Sequence, residues 1–350
     1  MAQYVAAGQR LGHGVKIFGE PNPELPNIPF TTDTGGIDLA VFAVHVAGDF
    51  PDMPHLVRVF DRIPREKRIV LDLWGRYNDT IRVDHDFNHL EKLDGHVGWE
   101  WSQAFEAVSA VIAQPTLNPL RSGVQPFLFH GFDPTRVVRP FSNAEDAAAA
   151  WTSADAEAKP YGAIYIGNNW HRWHQLKSFI ERYDRVRRTI GPVCIIGWDW
   201  DRRPDWAENN GLAGIYTDAA LLDEFGVERF EGARFEDVPT ILGRARFAPV
   251  FHRPLFNHLG LATNRTFETF YGDCLPVLML APDFVSRIYG EAALALVPGE
   301  DVAEHFEKVC AEPQHYWDAV LKTRAYLAEH HSFARRFDEL NALGLKAAGK

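Results

Sequence analysis

The sequence predicts an α/β protein built from two doubly wound domains that face a cleft, with helices closing the chain. Three observations carry this prediction. Apolar runs of strand length alternate with helical segments in both halves, the alternation breaks once between Asp133 and Pro160, and 350 residues exceed what one core usually covers.

In chain order, Gln3 to Gly12 holds helix-forming residues, and Gly12-His13-Gly14 breaks that helix before a strand over Val15–Phe18. This reads as the first helix and second strand of a nucleotide-binding-type sheet whose opening strand is absent; either the chain begins late or that strand is supplied differently. A Pro-rich loop from Pro21 to Pro29 leads to the near-continuous apolar run Ile37–Val44, as expected of a parallel strand covered on both faces. A helix around Pro54 to Arg62, a strand over Arg68–Leu73, a helix over Trp99–Ala107 and strands over Ala110–Ala113 and Val124–Phe129 continue the alternation.

Between Asp133 and Pro160 comes a polar turn, an Ala-rich run and an acidic stretch, read as the crossover. The second alternation has strands over Gly162–Gly167, Val193–Trp198, Val227–Phe230, Phe247–Val250 and Leu294–Val297, with helices through Lys177–Arg187 and Val238–Arg244. Helices finish the chain from Pro313 to Leu343. The expected organisation is therefore a first domain over 1–140, a crossover over 141–160, a second domain over 161–312 and closing helices over 313–350.

Hydrophobic residues make up 46% and charged residues 24%, which suits packed globular cores. The formal net charge of −11 argues against nucleic acid or an anionic membrane as the main partner, since both demand basic surface. Three cysteines, Cys194, Cys274 and Cys310, suit a reducing compartment. The N-terminal residues lack a signal-peptide pattern, and no eighteen apolar residues run together. A soluble cytoplasmic protein without integral membrane association is the expectation.

The stretch Thr263–Leu278 organises the functional reading. It predicts a polar turn, a short helix, a break at Gly272 and an apolar strand from Leu275. A helix start offers unpaired N–H groups and partial positive charge to a phosphate, and Arg265 adds a guanidinium. Glu268, one turn on, is an acceptor for hydroxyls. Such an arrangement suits a nucleotide-sugar, although Arg and Glu at this spacing also form ordinary solvated helical pairs.

The second half resembles the nucleotide-binding domain of GT-B fold glycosyltransferases of the group 1 superfamily, in particular its spore-maturation-protein (CgeB)-like branch. Motifs in family order carry the resemblance. Tyr165 to Arg172 looks like the opening strand, Gly turn and Arg-bearing helix start. Val227 to Pro239 is similar to the strand and Gly loop beside the nucleobase. Asn264–Glu268 with Gly272 and Leu275–Leu278 looks like the signature, and Tyr326 to Leu340 is similar to the closing helices. The first half shares only the layout.

Carried over by position, the resemblance implies ribose contact at Glu268, diphosphate contact at Arg265 and the amides of Asn264 and Thr266, and base contact around Gly232, Arg234 and Phe235. Gly167 belongs to the opening turn, and Arg172 is a second phosphate cation. One departure concerns Gly260, eight residues before Glu268, where many retaining members place a carboxylate against the donor sugar.

Transfer from a nucleotide-sugar builds negative charge on the leaving diphosphate, so fixed cations there lower the barrier. An inverting enzyme also needs a general base, expected from the first domain. Asp72, near the end of a predicted strand, is one candidate; Asp84 and His96 in the polar stretch that follows are two more. All three also read as local loop hydrogen-bonders. Arg253, after the strand ending near Phe251, is a further phosphate candidate.

Asp84-His85-Asp86 and Asp199-Trp200-Asp201 match a three-residue metal pattern of low specificity, and His85 with His89 lack a third ligand, so no metal and no cofactor beyond the donor substrate is expected. Trp170, Trp173, Trp198, Trp200 and Trp206 cluster at the start of the second domain, where core or interface packing is the default. The expected function is metal-independent glycosyl transfer to a small-molecule, glycan or protein acceptor. A binding protein on the same fold without catalysis, or a nucleotide-sugar epimerase, are the alternatives.

Overall fold

A computed structural model describes residues 1–23, 25–44, 62–78, 99–155, 157–209 and 215–347. The first domain holds a four-stranded parallel sheet of β3 (Ala40–Val44), β4 (Arg68–Asp72), β5 (Val111–Gln114) and β6 (Gln125–Pro126), neighbours in space as in sequence. Every residue of β4 and β5 is buried, which is why their centres, Ile69–Leu71 and Val111–Ala113, read as unbroken apolar runs rather than alternating ones. The helix Trp99–Val108 crosses between β4 and β5 and contacts both strands.

The second domain holds five parallel strands: β7 (Tyr161–Ile166), β8 (Val193–Ile196), β9 (Glu228–Phe230), β10 (Ala245–Val250) and β11 (Leu275–Leu278). Their spatial order is β11-β10-β7-β8-β9. The chain therefore lays β7, β8 and β9 outward to one side, then returns to place β10 on the other flank of β7. This is the Rossmann order, and it puts a topological switch point between β7 and β10, with the crevice at their carboxyl ends. The helix Trp173–Ile190 packs one flank through Leu176, Phe179, Ile180 and Tyr183 at helical spacing.

Two expected strands are corrected. Val15–Phe18 shrinks to β1 (Ile17–Phe18), which pairs with β2 (Phe30–Thr31) in a separate two-stranded sheet. Phe18 is 55% exposed, so the segment lacks the two apolar faces that a central parallel strand needs. Leu294–Val297 is instead the end of a 3₁₀ helix, Glu291–Leu296, packed on the helix Pro313–His330. Ala293 and Leu296, three apart, are both buried, a spacing that matches three residues per turn. The expected helix around Pro54 to Arg62 lies almost wholly outside the described residues.

The crossover contains a helix, Ala144–Ser153, started by Asn143, whose side chain accepts from the Asp146 N–H. It packs on Pro313–His330, and Trp151 donates its indole N–H to the Arg246 carbonyl. The last helix, Phe333–Ala347, crosses back and lies on β4 and β5 beside the first helix, Ala2–Arg10. The chain thus passes between domains twice, and the two passages touch. Phe132 N–H donates to the His331 carbonyl at 2.8 Å, and Tyr271 Oη accepts from Asp133 N–H at 2.8 Å.

Cys194 and Cys274 are buried and Cys310 is exposed. No described helix is long and apolar enough to cross a membrane.

Candidate active site

Three backbone segments meet at the switch point. Behind β7 comes Gly167 to Arg172, behind β8 comes Gly197 to Trp200, and behind β10 come Phe251, His252 and Arg253. The first two turns are stitched together. Asn169 N–H donates to the Trp198 carbonyl at 3.0 Å, Trp198 N–H to Asn168 Oδ1, and Trp200 Nε1 to the Gly167 carbonyl at 2.6 Å. A Cβ on Gly197 would lie 2.2 Å from the Gly167 oxygen. Gly197→Ala is therefore expected to lower stability by about 1–3 kcal/mol through forced separation of these turns. An unchanged melting temperature for that variant would contradict the packing described.

Arg253 and Arg172 flank the switch point from β10 and β7. Arg253 is 6% exposed, and its Nε and Nη1 find no hydrogen-bond partner among the described residues. Burial, then the neighbouring Arg172, hold its guanidinium well below the ordinary arginine value. Burial and Arg265 also lower the Arg172 guanidinium from its ordinary value; Arg172 donates to the Asn168 and Trp170 carbonyls. Arg265 approaches Gly167, whose missing side chain leaves room: a Cβ there would lie 3.3 Å from Arg265 Nε. Arg172 thus has both Arg253 and Arg265 as repelling neighbours. Such crowding of like charges out of water is unfavourable unless an anion completes it.

Glu268 faces Arg265, with Oε2 at 3.9 Å from Arg265 Nη1. It is 2% exposed, and Oε2 has no hydrogen-bond partner among the described residues. Burial pushes its carboxyl above the ordinary glutamate value, opposed by Arg265 and the Asn264 side chain. A buried acceptor next to a cation cluster fits a hydroxyl-bearing ligand whose other end is anionic.

The helix start needs correction. The helix Asn264–Glu268 has only five residues, and Thr263 and Thr266 close a reciprocal capping box at its start. Thr263 N–H donates to Thr266 Oγ1 at 2.9 Å, while the Thr266 N–H is taken by Thr263. Thr266 is fully buried. It therefore fixes the helix start rather than offering its amide to a phosphate, and the Asn264 side chain turns to Glu268. His252 packs behind, its Nε2 3.5 Å from Thr266 Oγ1. Burial and Arg172 push the His252 pKa down to about 3, so the ring is neutral near pH 7.

Gly232, Arg234 and Phe235 lie on the loop after the edge strand β9. Phe235 is 68% exposed, and Arg234 pairs with Glu236 at 2.7 Å in solvent. The indole of Trp198 covers Gly232, where a Cβ would meet the ring at 2.7 Å. Trp198, 56% exposed, is thereby drawn to this loop, which sequence reasoning left to core packing. The tryptophan cluster divides: Trp173 and Trp200 are core residues, whereas Trp198 and Trp206 are exposed.

From the first domain, the loop after β4 carries Trp74, Gly75 and Arg76 to the crevice. Asp72 shapes it. The carboxylate is fully buried and accepts from Trp74 N–H, Tyr77 N–H and Gln114 Nε2 at 3.2, 2.7 and 2.9 Å. With both oxygens engaged inside the first domain, Asp72 positions the loop, and its expected role as base is not what this geometry serves. Asp84 and His96 lie outside the described residues. Gly75 sits against Leu259, and Trp74 stacks under Arg253, its ring centroid 4.1 Å from the guanidinium carbon. Gly260 closes the helix Pro254–Leu259 at φ 60°, facing Thr116 of the first domain. The Asp199-Trp200-Asp201 carboxylates serve separate partners: Asp199 accepts from Trp170 Nε1, and Asp201 pairs with Arg229 at 2.7 Å.

Two Rossmann-like domains with their strand ends turned toward one crevice make this a GT-B fold. The chain aligns over 97% of its length with 93% of Anabaena HepE in complex with UDP and glucose, at TM-score 0.54 and 10% identity. It also aligns over 97% of its length with 92% of T4 phage β-glucosyltransferase, a DNA-modifying enzyme crystallised with UDP-glucose, at TM-score 0.50 and 12% identity. No protein-family model and no curated protein matches the sequence.

Proposed function

We propose that the protein is a glycosyltransferase that takes its sugar from a nucleoside-diphosphate donor, within the spore-maturation-protein-like branch suggested by the order of its second-half motifs. The observation that carries the proposal is Arg253: a buried guanidinium with two nitrogens unbonded among the described residues, beside Arg172 at the switch point. A diphosphate supplies the missing charge and acceptors, and Arg265 joins from the short helix. Glu268 accepts from ribose hydroxyls, and the base rests by Trp198, Gly232 and Phe235. The bound UDP and UDP-glucose of the structural neighbours support the same donor class.

In this reading the arginines act chiefly in the transition state. As the glycosidic bond breaks, charge grows on the diphosphate, and cations already desolvated and fixed by the fold meet it without reorganising. No metal is needed for that charge. A general base belongs to the first domain, and Asp84 and His96 are the residues to test.

Arg265→Ala is expected to weaken binding of a nucleoside diphosphate by about 1.5–3 kcal/mol and to leave the bare nucleoside within experimental error. Titration calorimetry with UDP and uridine reads this directly. Equal losses for both ligands would remove Arg265 from the phosphate. A second reading, a donor-binding protein without transfer, is favoured by the enclosed Asp72 carboxylate and the bare Gly260. Release of sugar from UDP-glucose, with or without acceptor, separates the two.

A further inference from the structure

Three tryptophans that belong to no apolar cluster of the described residues form a row across the crevice. Trp74 comes from the first domain, and Trp170 and Trp206 from the second. Their ring centroids are 6.3 Å and 6.0 Å apart, tilted by 58° and 71°. The row begins at Arg253, which stacks on Trp74, and its last ring is Trp206, 45% exposed.

The surrounding backbone is arranged to hold the middle ring there. Trp170 donates its indole N–H to Asp199 Oδ2 at 2.9 Å. Asp199 and His171, the residue after Trp170, are the only described non-glycine residues with positive φ, at 69° and 59°. Fully buried Asn169 braces the turn by donating to the Asp199 and Tyr216 carbonyls at 3.0 and 2.7 Å. Backbone strain kept to present an aromatic face outside the core points to a ligand.

We infer that Trp74, Trp170 and Trp206 form the subsite of a carbohydrate acceptor, a neutral sugar chain whose units lie against successive rings. A pyranose has an apolar C–H face and a rim of hydroxyls. Indole faces take the first, and carboxylates accept from the second. Asp205 and Glu208, both exposed on the five-residue helix that carries Trp206, provide such acceptors. A single-stranded nucleic acid also stacks on aromatic rows, and Arg253 and Arg76 lie over Trp74 at one end, but the carboxylates at the Trp206 end and the net charge of −11 disfavour a polyanion along the whole row. The adjoining Arg253 makes this the acceptor side of the crevice, a placement that rests on the donor reading above.

The test titrates full-length wild type, Trp170→Ala and Trp206→Ala with cello-, malto-, chito- and manno-hexaose, with oligothymidylate and with UDP, following tryptophan fluorescence and calorimetry. At least one hexaose is expected to bind the wild type. Each variant should weaken that binding at least tenfold, equivalent to roughly 1.4 kcal/mol, while UDP affinity holds within about threefold. Trp206 is exposed, so its variant should keep the wild-type melting temperature and remain informative if Trp170→Ala fails to fold. The inference is overturned if no hexaose binds a protein that binds UDP, if hexaose binding survives in Trp206→Ala, or if oligothymidylate binds through Trp206 instead. Failure of UDP alone to bind would strike the donor reading and leave the hexaose result standing by itself.

Discussion

Arg253→Met is expected to make the ligand-free protein more stable and to lower its affinity for a nucleoside diphosphate by about 2–4 kcal/mol. Both effects come from one arrangement. The guanidinium is buried beside Arg172, and two of its nitrogens have no acceptor among the described residues, so the folded state carries a charge that water solvates better. Methionine keeps an apolar chain against the Trp74 and Phe256 rings, which Arg253 covers at 4.1 and 4.8 Å, and removes the charge. Replacing an uncompensated buried charge in this way is expected to add about 1–4 kcal/mol. Thermal melts and UDP titration read the two halves. A variant that is less stable and binds UDP as before would contradict the assignment.

Glu268→Gln is expected to weaken nucleotide binding by about 1.5–3 kcal/mol near pH 7 and to flatten its pH dependence. In the wild type, burial places the carboxyl above its ordinary value of 4.5. Ribose hydroxyls donate to the ionised form, so affinity should fall on acidification from a pH above the ordinary glutamate range. The stability effect has the opposite sense. A raised folded-state value means that the folded protein holds this proton more tightly, so the contribution is favourable at low pH and is lost as pH rises through that value. The glutamine variant should therefore be more stable than wild type near pH 7 and lose that advantage in acid. Equal pH profiles for the two proteins would show that Glu268 does not touch the nucleotide.

The parallel strands were legible because burial on both faces writes a near-continuous apolar run, as at Ile69–Leu71 and Ala163–Ile166. Leu294–Val297 misled because an apolar run of that length is equally a buried 3₁₀ turn, and only its packing on Pro313–His330 decides between them. Motif order singles out Arg172, Arg265 and Glu268, and the fold makes Arg265 the neighbour of both others. Arg253 stood out less, since its weight depends on β10 returning beside β7, a pairing that no local pattern encodes. Thr266 looked like a phosphate ligand because a capping box and an anion compete for the same N–H groups. Trp198 reads by default as a packing residue, although Gly197 ahead of it repeats the strand-end glycine at Gly167 and the residue is 56% exposed. The row Trp74, Trp170 and Trp206 joins residues from both domains, so its alignment appears only once the two sheets face each other.

The most direct test of the account is calorimetric titration of the wild type with UDP, uridine and UDP-glucose in the presence of a metal chelator. The account predicts saturable binding of UDP and UDP-glucose, with uridine weaker by several kcal/mol-scale phosphate contacts, and a smaller difference in Arg253→Met, which keeps Arg172 and Arg265. If UDP, together with the ADP, GDP and CDP counterparts run alongside, shows no binding to the folded protein, or binds no better than its nucleoside, the switch-point arginines do not hold a diphosphate and the proposed function fails.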